Sequence, residues 1–368
     1  MSYRKTVNVP LLKAIETHVA RNMNPDRARK VVKNCEALDE ARRELVALKH
    51  WEDPHKYKKL LIFYYNGLRY LDSKFTFKHE DAEAVNIFFT WQDSYSGHEY
   101  VSTEGLELEM NSILYNLAAV MNNMASTSPI TIDSIKYISM DFQSAGWIFD
   151  HMCSTLEALS QELRGIDFRF DNLKRLVALE LAQSQYWFFK KAELSGMKPG
   201  LVSKLARHVW VYFIEAEGYV SGTLKLEYEK FWPYLIKLTS VYTQCYDAIS
   251  HMYKAKEMLS TIKEDGSGAG ILLGHLTVSS RILSSLKTVN EAVQQNIQTR
   301  LDESEVLREE ATSMNDNIYH DTIIREKDLP KLESKNFAVL RSIEEEINEN
   351  FSKRMSFDDS NKKVGFSV

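Results

Sequence analysis

The side chains of this sequence that could carry covalent chemistry are not spaced to do it. The histidines, His18, His50, His55, His79, His98, His151, His208, His251, His275 and His320, are scattered, and none forms HExxH or another short-range ligand pair on a helix face. Cys35, Cys153 and Cys245 are far apart and odd in number, with no CxxC pair. They give neither a disulfide framework nor a zinc ribbon, and read as buried free thiols of a reducing compartment. There is no GxSxG elbow. The one glycine-rich loop, DGSGAG at Asp265–Gly270, lacks the lysine and the preceding strand that a phosphate cradle needs, and reads as a flexible helix–helix connector. Carboxylate runs such as Glu344–Glu346 read as solvated helix faces. The expectation is a protein that is not an enzyme and has no cofactor or metal.

What the spacing offers instead is non-covalent. Leu173–Leu205 reads as two helices joined by a Gly/Pro turn at Ser195–Gly200. On the first helix Leu173, Leu176, Val177, Leu181 and Phe188 lie on one face, while Ala178, Ala182, Tyr186 and Phe189 lie on another. A helix apolar on two faces packs on two neighbours, as in a stacked α-solenoid. Phe188 lies seven residues before Ser195 and Leu205 five after Gly200. At the helical rise both sit roughly 8–10 Å from the turn, so Phe188, Leu201 and Leu205 could meet on one surface. Two readings stay open for that surface: core filling or a docking patch. Lys190, Lys191, Lys198 and Lys204 are close by in sequence, either as a basic rim that steers an acidic partner or as plain solvated lysines.

The elements around this hairpin are mostly helices. The chain has 368 residues, of which 44% are hydrophobic and 11% aromatic, enough for a large core. Only 14 glycines and 7 prolines argue for long helices and against an all-β sandwich. A net charge of −5 gives no basic footprint for nucleic acid. No N-terminal apolar signal segment or apolar run near ~20 residues is present, which points to a cytoplasmic protein, peripheral on a membrane only by binding something there. Tyr3–Val9, Val85–Trp91 and Tyr95–Thr103 read as short strands. Leu11–Val19, Pro25–Leu48 (with Asn24 as N-cap and Pro25 at N1) and Lys56–Leu71 read as helices. Beyond Glu104 the helices expected are Leu106–Ser126, Ile132–Leu163, Leu173–Leu194, Leu201–Gly218, Leu224–Lys263 and Ile271–Asn317. Short connectors make successive helices antiparallel neighbours, and several pairs have about the length of tetratricopeptide units, without a clean repeat signature. Leu283, Leu286, Val289, Val293, Ile297, Leu301 and Val306 form a narrow stripe on the last long helix.

Five segments stand out in order along the chain: LLIFYYNGLRYLDSKF (Leu60–Phe75), FTWQD (Phe89–Asp93), ILYNLAAV (Ile113–Val120), LAQSQYWFFKKA (Leu181–Ala192) and IYHD (Ile318–Asp321). They resemble the BRO domain, the N-terminal module of ALIX-like ESCRT-associated proteins. Each alone is weak, but they fall in the family's order across most of the chain. The resemblance implies a mainly α, boomerang-shaped α-solenoid with a tetratricopeptide-like core of helical hairpins and a small β-sheet near the N-terminal half. It implies a single domain over residues 1–355, with the solenoid at about 106–317, a C-terminal extension at 318–355, and a flexible tail or linker at 356–368. It implies binding of the C-terminal amphipathic helix of an ESCRT-III subunit of the charged multivesicular body protein type, with Phe188, Leu201 and Leu205 as anchors and Lys204 on the rim. The setting implied is multivesicular-body sorting and membrane remodelling, peripheral on endosomes or at the plasma membrane, as a monomeric module.

Further roles come from the same resemblance. Tyr100 corresponds to a loop that contacts endosomal acidic phospholipid in some relatives, although here the loop between FTWQD and ILYNLAAV is shorter; a strand tyrosine is the plainer reading. Tyr319 matches a kinase-targeted tyrosine, and docking of the C-terminal extension is the structural reading. The proline that often follows YHD is delayed to Pro330. Alternatives to ESCRT-III docking are a phospholipid-contacting module, a tetratricopeptide-type clamp for a peptide carboxylate, and, from the overall divergence, an adhesion role like that of an ALIX-like protist adhesin.

Overall fold

In the computed structural model the residues described are 3–7, 9, 11–22, 24–48, 52–77, 84–96, 100–156, 165–265, 267–288 and 290–352. His50, His79, His98, Val289 and the expected tail at 356–368 lie outside them. The chain is mainly helical with one small sheet. The sheet has β1 (Lys5–Thr6), β2 (Phe88–Gln92) and β3 (Tyr100–Glu104), antiparallel in the order β1-β2-β3, with Trp91 opposite Val101 and Gln92 opposite Tyr100. The helices are α1 (Leu11–Asn22), α2 (Pro25–Ala47), α3 (Pro54–Lys74), α4 (Glu107–Thr127), α5 (Ser134–Thr155), α6 (Phe170–Leu194), α7 (Pro199–Gly218), α8 (Gly222–Phe231), α9 (Pro233–Asp265), α10 (Ala269–Ser285), α11 (Glu291–Met314) and α12 (Glu344–Ser352). Among the described residues no helix is long and apolar enough to cross a membrane.

The strands are shorter than their β-rich sequence suggested, because pairing extends only where a partner strand lies alongside. The two longest helices expected are each broken. Pro233 has no N–H to continue the helix from α8, and Trp232 leaves helical geometry at φ −143°. Asn290 opens α11 by accepting from the Val293 amide, so Leu283 lies in the last turn of α10 and Leu286 is the extended residue that ends it. Val306, expected on the buried stripe, is exposed, whereas Ile297 is buried.

The chain divides into two compact units. The first comprises Met1–Thr127, Ser144–Val177 and Leu340–Val368. Here α1, α2, α3 and α4 pack in succession, α12 lies on α3, and the inner residues of β2, Phe89 and Trp91, face α4. Asn24 and Asp53 cap α2 and α3 ahead of Pro25 and Pro54. At the centre of this unit Glu109, fully buried on α4, accepts from Arg42 Nε at 2.9 Å, Tyr64 Oη at 2.9 Å and Trp91 Nε1 at 2.5 Å. Arg42 also donates to Val7 O and Thr6 Oγ1, tying β1 to the helices.

The second unit comprises Ser128–Gln143 and Ala178–Val339. Here α7 packs on α9, α9 on α10 and α10 on α11. The segment after α11 turns through a π-helical stretch, Asn315–Tyr319, and then runs extended past α10. Gly270 and Gly274 permit that approach: a Cβ on Gly270 would stand 2.2 Å from Thr322 O, and one on Gly274 2.5 Å from Ile324 O. The last glycine of DGSGAG is therefore a close-packing position, which a reading as loose connector overlooked.

Cys35, Cys153 and Cys245 are buried free thiols, with burial pushing them up to about 12, 11 and 12. Such thiols are poor nucleophiles at neutral pH. A second buried group has a larger consequence. His251 and His275 meet Nδ1 to Nδ1 at 2.8 Å, so one ring donates and the other accepts. Burial is the main cause pushing both down to about 4, helped by Arg207 and Arg281 at His251, and by His251 and Lys254 at His275. The unfolded chain therefore binds protons first as the pH falls. The stability from these neutral rings is complete above about pH 7 and is lost as the pH drops from about 6.5 towards 4. Denaturant titrations at pH 7 and pH 5 should show unfolding free energy falling by about 2 kcal/mol or more. In His275→Gln this dependence should shrink; an unchanged dependence would assign the acid sensitivity elsewhere.

Candidate docking surface

The turn between α6 and α7 is set by its own residues. Gly196 adopts φ +61°, a left-handed conformation that favours glycine. Met197 N bonds back to Ala192 O at 3.0 Å and Gly196 N to Glu193 O at 3.1 Å, closing α6 with a Schellman arrangement. Lys198 then precedes Pro199 in the first turn of α7. The result is an antiparallel hairpin, as the Gly/Pro spacing suggested.

The four residues expected at the docking site fall into different environments. Phe188 and Leu201 are half-buried and rest against the cluster containing Phe189, Val209, Ile249 and Met252. Leu205 is 1% exposed and is a member of that cluster. The expectation that it is a surface anchor is therefore corrected: one turn beyond Leu201 on the same face of α7, Leu205 is covered by the cluster and lies in the core beneath the surface. Lys204 is paired with Glu333, which raises the ammonium and lowers the carboxylate from their ordinary values.

The four lysines divide in the same way. Lys190 is held by Glu193 at 2.6 Å. Burial alone would raise Glu193, but hydrogen bonds from Lys190 and Tyr253 and the charge of Arg300 bring it below the usual carboxylate range. Lys191 and Lys198 have no carboxylate partner among the described residues, and Lys198 is exposed. Those two supply free positive charge beside the hairpin turn, where Leu194 and Met197 are 50% and 45% exposed.

One residue that sequence reasoning quoted but gave no role organises this face. Gln185, within LAQSQ, is completely buried. Its Oε1 accepts from the Phe337 amide at 3.0 Å and the Ala338 amide at 3.1 Å, and its Nε2 donates to Lys335 O at 2.9 Å and Leu205 O at 3.3 Å. Lys335 N donates to Lys204 O at 3.0 Å, and Tyr212 Oη donates to Ala338 O at 3.0 Å. The extended segment 333–338 is thereby strapped along the α6–α7 seam. A glutamine inside an otherwise apolar, small-residue helix face was the available sign that a main chain passes there.

Tyr100 is 55% exposed on β3, an edge strand, with its side chain on the outward face. Tyr319 is half-buried, packs against the cluster of Ala255, Ile262 and Leu272, and lies with its hydroxyl 3.4 Å from Ile262 O. Neither is near the hairpin in sequence, and each occupies its own location. Among the described residues no group of three or more His, Cys, Asp or Glu side chains is placed to hold a metal ion.

A helical fold with a small antiparallel sheet and a strapped helical hairpin bearing half-buried apolar side chains defines a BRO-type module. The chain belongs to the BRO1-like domain family, whose model matches residues 1–363. Among known proteins it is similar to the vacuolar-sorting protein BRO1 of Arabidopsis thaliana, with 22% identity over 82% of this chain and 37% of that protein. It is also similar to ALG-2 interacting protein X of Dictyostelium discoideum, with 27% identity over 76% of this chain and 35% of that protein. The chain thus spans little more than a third of the length of these relatives. Its fold matches the BRO1 domain in the ALIX BRO1–CHMP4C complex with a TM-score of 0.81 and 22% identity, covering 97% of this chain and 98% of that one.

Proposed function

We propose that this chain is a non-catalytic scaffold module that binds the C-terminal amphipathic helix of an ESCRT-III subunit of the charged multivesicular body protein type. In this role it acts peripherally on endosomes in multivesicular-body sorting and membrane remodelling. The observation that carries the proposal is the presentation of Phe188 and Leu201 on the α6–α7 hairpin beside Lys191 and Lys198, which have no carboxylate partner among the described residues, in a fold like that of an ALIX domain solved with CHMP4C. Family membership and the vacuolar-sorting relatives support the same setting. The mode is helix-in-groove: an amphipathic helix lays apolar anchors on an apolar surface, and its acidic flank meets Lys191 and Lys198.

The test is a titration of the chain with a labelled peptide of its organism's ESCRT-III C-terminal helix. Phe188→Ala and Leu201→Asp should each weaken binding by roughly 30-fold, equivalent to about 2 kcal/mol, while the thermal unfolding curve stays in place. Saturable binding that both variants retain would remove the hairpin from the docking surface.

A second reading rests on the exposure of Tyr100. Phe88, 52% exposed, lies on the same outward face of the sheet, so two aromatic side chains face solvent there. Cosedimentation with vesicles containing acidic phospholipid should fall in Tyr100→Ala if this face touches membranes, and stay unchanged if Tyr100 is simply a strand residue.

A further inference from the structure

A cleft in the first unit gathers side chains that the hairpin surface does not use. Its volume is about 450 Å³, and residues of α5, α6 and α12 line it. Trp147 and His151 lie one turn apart on α5 and stack, with centroids 5.2 Å apart and planes at 8°. Asp150, beside them on the same helix, accepts from Lys174 Nζ of α6 at 2.6 Å. Phe170, the first residue of α6, is 54% exposed, and the Lys174 ammonium stands 5.6 Å from its ring centroid. Glu344, the first residue of α12, brings an exposed carboxylate, and its amide donates to the Ser342 hydroxyl at 3.2 Å. Reading Glu344 as one of a run of solvated acids gave it no task.

We propose that this cleft binds a cationic side chain, the guanidinium of an arginine on a partner polypeptide. Aromatic faces set beside carboxylates attract cations. The cleft already seats one of its own: Lys174 lies between the Asp150 carboxylate and the Phe170 ring. The Glu344 carboxylate has no ion-pair partner among the described residues and is left for a second cation. His151 adds no opposing charge at neutral pH. Burial, the largest cause, and the charge of Arg69 hold its ring below the ordinary histidine value, against the pull of Glu344 and Asp150. Arg69, on α3, donates to Asn348 Oδ1 at 3.2 Å. The lining therefore carries two carboxylates against one ammonium, and the excess charge is negative. The flat surfaces select arginine over lysine. A guanidinium is planar and weakly hydrated, so it can stack on an indole or phenyl face while two of its N–H groups meet one carboxylate; an ammonium offers only a point charge. Trp147, steadied by its stack on His151, and Phe170 supply the faces, and Glu344 supplies the carboxylate.

The experiment titrates the whole chain with a capped pentapeptide holding one arginine among glycines, and with counterparts carrying lysine or citrulline, the neutral isostere of arginine. Binding is read from the indole N–H resonance that Trp147→Phe removes. The arginine peptide should shift that resonance saturably, the lysine peptide should bind at least fivefold more weakly, and the citrulline peptide should give no saturable shift. Phe170→Ala and Glu344→Gln should each weaken the arginine peptide at least fivefold, with thermal unfolding close to wild type because both side chains are exposed. No saturable shift from the arginine peptide, an equal response to lysine or citrulline, or full binding in either variant would overturn the proposal. None of these results touches the ESCRT-III helix titration at Phe188 and Leu201, so the two readings stand or fall separately.

Discussion

A Leu205→Asp variant is expected to lose its cooperative fold, or to unfold at a far lower denaturant concentration than the wild type. Leu205 is 1% exposed and packs in the cluster with Phe189, Val209, Met252 and Ala338. An aspartate there removes the apolar contacts of a leucine and places a carboxylate among side chains that offer it no partner. Truncation alone costs about 2–5 kcal/mol in such a site, and burial of the polar group adds several more. Against the roughly 5–15 kcal/mol that holds a domain together, that is enough to unfold it. Leu201→Asp, one turn earlier and half-buried, should keep its circular-dichroism signal and unfolding midpoint. The pair therefore separates core from surface on one helix. A Leu205→Asp protein with wild-type stability would return Leu205 to the surface.

Glu109→Ala should be nearly as damaging in the first unit. Its carboxylate is the shared acceptor for Arg42, Tyr64 and Trp91, all in a setting with almost no solvent exposure. Desolvation, the largest single cause, lowers Arg42, and Glu109 and Tyr64 together outweigh it, keeping the guanidinium raised above its ordinary value. Removing one partner of a buried pair leaves the other charge uncompensated, at a cost of about 3–5 kcal/mol. Here a phenol and an indole N–H lose their acceptor as well, so the effect belongs at the upper end. Glu109→Gln keeps one oxygen acceptor but no charge, and should fall between the wild type and alanine. Equilibrium unfolding of the three proteins gives the order directly; an alanine variant within about 1 kcal/mol of wild type would mean that water or a rearranged Arg42 replaces the carboxylate.

Much of this fold was legible in the chain because local chemistry and burial agree. Asn24-Pro25 marks the start of α2, Ser195–Gly200 marks the α6–α7 turn, and the two apolar faces of α6 are both covered, with Leu173, Ala178, Ala182 and Phe189 buried. The breaks in the two longest helices carried their own marks, Pro233 and Asn290, which a reading by apolar periodicity passed over. The candidate surface was half legible. Spacing groups Phe188, Leu201 and Leu205 near the turn, and the first two are half-buried, but the same spacing equates Leu201 with Leu205, since residues four apart share a helix face. Which of two such residues is covered depends on what packs over each, and that information is non-local. The strap is the clearest case: Gln185 and Ala338 are separated by 153 positions, and nothing between them announces that they bond.

That separation has a consequence for when the protein becomes whole. Gln185 lies completely buried, and three of the four hydrogen bonds of its amide go to the main chain of Lys335, Phe337 and Ala338. A chain emerging from the ribosome has made α6 and α7 long before it makes those residues. Until they arrive, the hairpin carries an unsatisfied amide and an empty groove where Ala338 belongs, states that cost free energy while they last. The face proposed to dock is thus among the last parts of the second unit to mature, and a nascent chain stopped before Glu333 presents the hairpin without its finished surface. The face of the hairpin is finished only once residues 335–338 have been made and have reached Gln185.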